Sequence, residues 1–277
     1  MDRYQIVADE KILKDFLVAL GCNELSKLES YLVVTSFRSK KLNDEERKKL
    51  GARNREMYLT KNLKVDRKGV FDLEAAVNKI YELEVPIRAL TYNIGTPDEI
   101  SLPQKAMVCY ICPNPSKEVD VAIEHMESTL DIVKNYIHAS DKGDSANQLA
   151  HHNTDFRSER SKLLNRKWVD FDIDIECSKD NRYSVKNIIK VVIDNSPELK
   201  NPKCLIVETA GGFHVLVKKD CLKGNPRNIC ESFIRNFEGW GKVKEVDYKA
   251  EGYLPLVGTY QYSEHIVTFE KYGDWDD

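Results

Sequence analysis

The sequence predicts an α+β protein in which a β-α-β-β-α-β unit follows an N-terminal α/β module. Three observations carry that expectation. Residues 167–176, KWVDFDIDIE, alternate with period two, setting Asp170, Asp172, Asp174 and Glu176 on one face and Val169, Phe171, Ile173 and Ile175 on the other. Beyond it come short apolar runs at 204–208, 213–217 and 243–248, with one segment of helical spacing before the first and another between the second and third. Cap and turn residues punctuate the runs: Pro197, the turn TAGG at 209–212, Asn225-Pro226 and Gly239.

Taken in order, 9–20 reads as a helix with Asp9 as N-cap, Ile12, Leu13, Phe16, Leu17 and Leu20 as its stripe, and Gly21 as its stop. Residues 31–37 read as a strand. A basic, turn-rich stretch follows: Arg38, Lys40, Lys41, Arg47, Lys48, Lys49, Arg53 and Arg55. Leu73, Val77 and Ile80 give 71–83 helical spacing, and 87–93 and 106–111 read as strands. Ser116 is expected to cap a long helix whose stripe, Val119, Ile123, Met126, Leu130, Val133 and Ile137, is spaced alternately by four and three and is expected to pack in the core. From 139 to 161 the chain turns polar, giving a boundary: an N-terminal α/β module at 1–138, a polar loop or linker at 139–161, and a second unit at 162–277, the two modules together forming one domain. The loop runs into a second basic cluster, Arg157, Arg160, Lys162, Arg166 and Lys167. In the second unit, a helix is expected from Ser184, carrying Val185, Ile188, Ile189 and Val192 on one side, and another from Asn225 with Pro226 at its first position.

A β-α-β-β-α-β order is that of the ferredoxin-like or RRM-like fold. Its usual strand order, 4-1-3-2, has both helices on one face and the other face open. Strand one then lies between strands three and four, bringing His214 and Asp247 beside the acidic row.

Composition narrows the function. At 42% hydrophobic and 31% charged residues the chain suits a soluble protein with a substantial core. The expectation is a cytoplasmic protein, or one of a host cell's interior if viral or plasmid-encoded: no run is apolar enough for a membrane, MDRYQIVADE has no signal-like apolar stretch, and seven cysteines suit free thiols. Cys109 and Cys112 form a CxxC without a second such pair, short of the four ligands of structural zinc. Tyr92, Tyr110 and Trp168 are read as core, although each could stack on a base. The net charge of −3 does not mark a nucleic-acid binder, but the two basic clusters could track phosphates or simply be solvated faces. Four like charges in a row repel, and divalent cations are the economical way to neutralise them.

The stretches FDIDIE, ETAGGFHVLV and EVDYK followed by LVGTYQY resemble the three motifs of the archaeo-eukaryotic primase (primase-polymerase) superfamily: an hhhDhD strand, a small residue-x-His, and a hydrophobic residue followed by Asp. The likeness covers about 167–269 and does not reach the N-terminal half. It implies that Asp172, Asp174 and Asp247 hold Mg²⁺ or Mn²⁺ and that His214 contacts the phosphates of an incoming nucleotide, with Thr209, Gly211 and Gly212 in the turn before it. Glycines there would let backbone N–H groups approach a triphosphate. Many members carry a basic residue in that turn; here stand Ala210 and Gly211, so Lys249, Lys218, Arg160 or Arg166 would supply the charge. The extra acids leave two registers open, with Asp170 and Asp172 as the other pair. Gly258–Tyr260 adds a slight further likeness.

The implied activity is that of a DNA primase or DNA-directed primase-polymerase, joining nucleoside triphosphates on a single-stranded DNA template by two-metal nucleotidyl transfer. With no P-loop motif, a separate helicase is the expected partner, and no membrane is. Two alternatives stand beside it. A metal-dependent nuclease or replication initiator would use similar carboxylates, although initiators typically carry an HxH that is absent here. A non-catalytic RRM-like nucleic-acid-binding module would expose aromatics where this chain has acids.

Overall fold

The computed structural model describes residues 2–38, 41–50, 56–89, 91–92, 100–138, 163–249 and 252–275. The polar segment 139–161 and the basic residues Lys40, Arg53, Arg55, Arg157, Arg160 and Lys162 lie outside them.

Helix α1 (Glu10–Leu20) starts where Asp9 accepts the Ile12 N–H and stops at Gly21, which takes φ 91° at no steric cost. Strand β1 (Glu29–Phe37) is followed by α2 (Asp44–Leu50), β2 (Glu56–Leu63) and α3 (Leu73–Tyr81), the last capped by Asp72. The strand expected over 87–93 is instead a single 3₁₀ turn at Ile87–Ala89, closed onto Pro86, then the two-residue strand β3 (Thr91–Tyr92). Then come β4 (Ile100–Ser101), β5 (Met107–Ile111), β6 (Ser116–Lys117) and α4 (Glu118–His138). Ser116 does not cap α4; it pairs with Ser30 of β1. The expected core stripe is corrected more sharply, since Val119, Ile123, Met126 and Leu130 are 51%, 50%, 64% and 55% exposed.

The acidic stretch forms β7 (Trp168–Glu176). Helix α5 (Lys179–Asn195) begins five residues before the expected Ser184 because the Ser178 hydroxyl caps it, accepting the Asn181 N–H. Next are β8 (Lys203–Thr209), β9 (Gly212–Lys218), α6 (Pro226–Asn236) and β10 (Lys242–Lys249), then β11 (Leu254–Pro255), β12 (Tyr260–Gln261), β13 (His265–Ile266) and β14 (Thr268–Gly273).

The fold is mixed α+β, built on antiparallel sheets. One sheet runs β13-β12-β5-β1-β2, with β11 on β5 and β6 on β1; the other runs β10-β7-β9-β8-β14. Residues 254–266 therefore return to the sheet begun by the N-terminal strands, tied down by the Tyr260 N–H to Ile6 and the Leu256 N–H to Cys109. Helices α5 and α6 cover one face of the second sheet, where Val185, Ile189, Ile229 and Phe233 meet Phe171, Ile173, Phe213 and Val215.

The opposite face was expected to be open. Instead much of it is core: Trp168, Leu205, Val207 and Leu216 pack among α1, β1 and β5 residues. The apolar runs CLIV and VLV have no polar alternation because both their faces are buried. The Trp168 indole donates to the Leu20 carbonyl, and Asn114 bonds both the N–H and the carbonyl of Trp168, fixing where β7 begins. No helix of the described residues is long and apolar enough to cross a membrane.

Candidate functional site at the mouth of the second sheet

Only the end of the β7 face beyond Trp168 escapes the core. Strand geometry keeps the four acids on that face, and antiparallel pairing fixes what stands opposite each. Asp172 lies between His214 on β9 and Asp247 on β10, Asp174 faces Gly212, and Asp170 lies between Leu216 and Lys249. The four carboxylates then differ steadily in environment. Asp170 is fully buried, Asp172 is partly covered, and Asp174 and Glu176 are exposed.

Burial makes partners obligatory for the inner acids. His214 Nδ1 lies 3.0 and 3.1 Å from the two oxygens of Asp170. A carboxylate only accepts, so Nδ1 carries a hydrogen and donates, and Nε2 is directed at Asp172 Oδ1, 3.5 Å away. Burial resists charging the imidazole, but the charge and hydrogen bond of Asp170, helped by Asp172, outweigh it and raise the His214 pKa. Lys249 Nζ donates to the other oxygen of Asp172. Burial alone would raise Asp172; His214, Lys249 and the Arg38 guanidinium together hold it below the usual carboxylate range. Lys249 is raised in turn, its burial being outweighed by Asp172. Glu176 pairs with Lys244 at 2.5 Å.

These groups line a cavity of about 610 Å³. Asp172, Asp174, His214 and Lys249 form one side; Arg38, Lys41, Tyr110, Gln261 and Tyr262 come from the other sheet and its loops. Arg38 Nε donates to the Tyr110 hydroxyl at 2.7 Å, and Lys41 Nζ lies 4.1 Å from the centre of the Tyr262 ring. Tyr110 and Trp168 are buried, in keeping with a packing role. Cys109 and Cys112 are buried too, both as free thiols.

The turn between β8 and β9 closes one end of the cavity. Arg182, on α5, donates to Glu208 at 3.2 Å and to the carbonyls of Thr209 and Ala210 at 2.8 and 3.1 Å. The Ala210 N–H donates to Gln261 Oε1 at 2.7 Å, and the Thr209 hydroxyl to the Gly212 carbonyl at 3.3 Å. Gly212 is glycine for a reason internal to the sheet: at φ 155°, a Cβ would stand 2.0 Å from the Ile173 carbonyl oxygen.

Of the residues singled out in the sequence, Asp172, Asp174, His214, Thr209, Gly211 and Lys249 all border this one cavity. Asp247 does not. It is exposed, its Oδ1 accepts the Tyr248 N–H, and it borders a second cavity with Arg227, Cys230 and Glu231. Among the described residues no group of three His, Cys, Asp or Glu side chains stands ready to hold a metal ion. Arg182 was not singled out from the sequence, where a lone Arg near a helix start carries no signal. Gln261 lies inside LVGTYQY, where a single glutamine carries no signal of its own. Compared with known protein families, curated proteins and solved structures, the chain matches none.

Proposed function

We propose that the chain is a metal-dependent nucleotidyltransferase of the primase-polymerase type, its second sheet and α5–α6 forming an RRM-like βαββαβ unit that acts on nucleoside triphosphates along single-stranded DNA. The observation that carries this reading is the pair His214–Asp172 on neighbouring strands, opening beside Asp174 into a cavity whose far wall holds Arg38 and Lys41, with Asp247 in register with Asp172 on the third strand but outside that cavity. A cavity of about 610 Å³ suits one nucleotide.

Asp172 and Asp174 fit a hard divalent cation: Mg²⁺ is commonly held by one or two carboxylates plus substrate phosphates. Asp247 would join them only by leaving the Tyr248 amide, and Asp172 would exchange Lys249 for the cation. Bound Mg²⁺ or Mn²⁺ supplies neutralisation of a leaving pyrophosphate and activation of a 3′-hydroxyl. The chain's own groups do the rest. His214, whose charged form Asp170 favours, donates from Nε2 to a phosphate oxygen. Lys249, freed from Asp172, and Arg38 offset the triphosphate charge. Unwinding would fall to a separate helicase in the same cell interior.

A second reading, a metal-independent nucleic-acid-binding module, draws on Lys249, which already neutralises Asp172. Incorporation of labelled nucleotide on unprimed and primed single-stranded DNA with Mg²⁺ or Mn²⁺ separates the two. Product that vanishes in Asp172→Ala/Asp174→Ala supports the polymerase. Retained DNA binding without product supports the module, and shortened template points to a nuclease.

A further inference from the structure

The outward seam of α4 is independent of the cavity. Val119, Ile123, Met126 and Leu130 are each half or more exposed, and Val133 and Ile137 continue their spacing in the sequence. At 3.6 residues per turn, gaps of 4-3-4-3-4 confine these six positions to a stripe about 80° wide. That is the narrow seam of a coiled coil; a helix that packs on its own globular core carries a wider face. The covered side of α4 is elsewhere. Val121 is buried, and His125, Ser128, Thr129 and Ile132 are partly covered on the flank away from the seam; of the seam, Val133 is partly covered as well. The helix thus rests on the protein by its less apolar side and turns Val119, Ile123, Met126 and Leu130 of its seam to water.

The charges flanking the seam select the occupant. Asp120, Glu127 and Lys134 recur every seven residues along one edge. If a second α4 runs antiparallel, with Met126 against Leu130 of the other copy, Asp120 of each copy meets Lys134 of the other. Two opposite-charge pairs then flank a single Glu127–Glu127 contact. A parallel pair would set Glu127 and Lys134 against Ala122 and Thr129, with no charge selection. We propose that α4 is a self-association surface, pairing antiparallel with α4 of a second copy about a two-fold axis at the level of Ser128.

Sedimentation velocity on the full chain from 1 to 100 μM tests this. The expected result is a concentration-dependent dimer that Met126→Glu/Leu130→Glu weakens by about a hundredfold or more, the loss typical of removing two interface anchors. Because both side chains are exposed, the variant's thermal midpoint at concentrations where the wild type is monomeric should not move. Asp120→Lys should weaken the dimer several-fold, and adding Lys134→Asp should restore it. A wild-type monomer throughout, or a dimer that survives the seam substitutions, overturns the proposal. A seam variant whose monomer melts early also overturns it, since the seam would then be covered within the chain. A dimer lost on seam substitution but indifferent to the charge changes overturns the antiparallel arrangement.

Discussion

Replacing Asp170 by Asn changes one atom and removes one charge at the most enclosed point of the site. Asp170 is fully buried, and both of its oxygens face His214, which is only 7% exposed. Asn can still accept from Nδ1, so a hydrogen bond survives; what is lost is the charge that offsets the burial of the imidazolium. With burial now dominant, the His214 pKa should fall from raised to lowered. In the wild type a raised folded pKa gives stability that is fully present below the unfolded value of about 6.5 and is lost as pH rises through the folded one. In the variant the sign reverses, because a neutral buried imidazole must be charged on acidification. The difference between the two proteins should therefore grow toward acid. Removing one partner of a buried pair costs about 3–5 kcal/mol, and the retained hydrogen bond returns about 1 of these, so the expected loss at pH 5.5 is about 2–4 kcal/mol. At pH 8.5 it should be clearly smaller. Urea melts at the two pH values give the stabilities, and the His214 imidazole proton resonance followed by NMR gives the direction of its shift. Equal losses at both pH values, or an unchanged His214 titration, would refute the claim that Asp170 favours the charged form of His214.

Three further perturbations probe the frame around it. Gly212→Ala forces a Cβ to within 2.0 Å of a backbone carbonyl of β7, which cannot move without breaking the sheet; a loss of at least about 3 kcal/mol, or no soluble protein, is expected, and an unchanged urea midpoint contradicts the close approach. Arg182→Ala removes the Arg182 donor from the Thr209 and Ala210 carbonyls and leaves Glu208 to Lys186 alone, for about 1–3 kcal/mol in the same assay, and Arg182→Lys should recover less than half of it because an ammonium lacks the planar fork. Lys249→Met frees Asp172 at a cost below about 1 kcal/mol, the pair being partly exposed, and Mn²⁺ binding followed by electron paramagnetic resonance should tighten. Since the lowered Asp172 pKa gives stability present above its unfolded value and lost as pH falls through the folded one, that variant should also lose less on acidification than the wild type.

Some of this was legible in the sequence because strand periodicity is rigid. Alternation in KWVDFDIDIE can place its acids on only one face, the turn at 209–212 marks where one strand ends and the next begins, and Asn225-Pro226 marks where a helix starts. What periodicity cannot say is what covers a face. The α4 stripe reads as core by its spacing, yet Val119, Ile123, Met126 and Leu130 face water; the acid-bearing face of the second sheet reads as open, yet its Trp168, Leu205, Val207 and Leu216 pack among α1, β1 and β5 residues. The second error had a signal, because CLIV and VLV are apolar at consecutive positions, as strands buried on both faces are. Side-chain choices between registered neighbours were not legible either: Asp247 stands opposite Asp172 yet turns to the Tyr248 amide, while Lys249, one pleat further along, takes Asp172.

The acidic row raised a physical problem that cations had to solve, and the protein solves most of it with its own. His214 takes Asp170, Lys249 takes Asp172 and Lys244 takes Glu176. Among the described residues Asp174 alone of the four has no ion pair, and it stands beside Gly211 at the cavity, where a Cβ on the glycine would already lie 3.4 Å from its Oδ1. Repulsion along the row therefore does not by itself require a metal; it requires one only where the protein's cations can be exchanged or are missing, at Asp172 and Asp174. Both line the cavity facing Arg38 and Lys41, as does Glu176, which Lys244 already holds. An exchange of Lys249 for a divalent cation would also deliver the released ammonium to the space a triphosphate needs. Cation binding and nucleotide binding should for that reason be coupled through one side chain: Mn²⁺ should tighten nucleotide binding in the wild type by a larger factor than in Lys249→Met, and equal factors in calorimetric titrations of the two proteins would break the link.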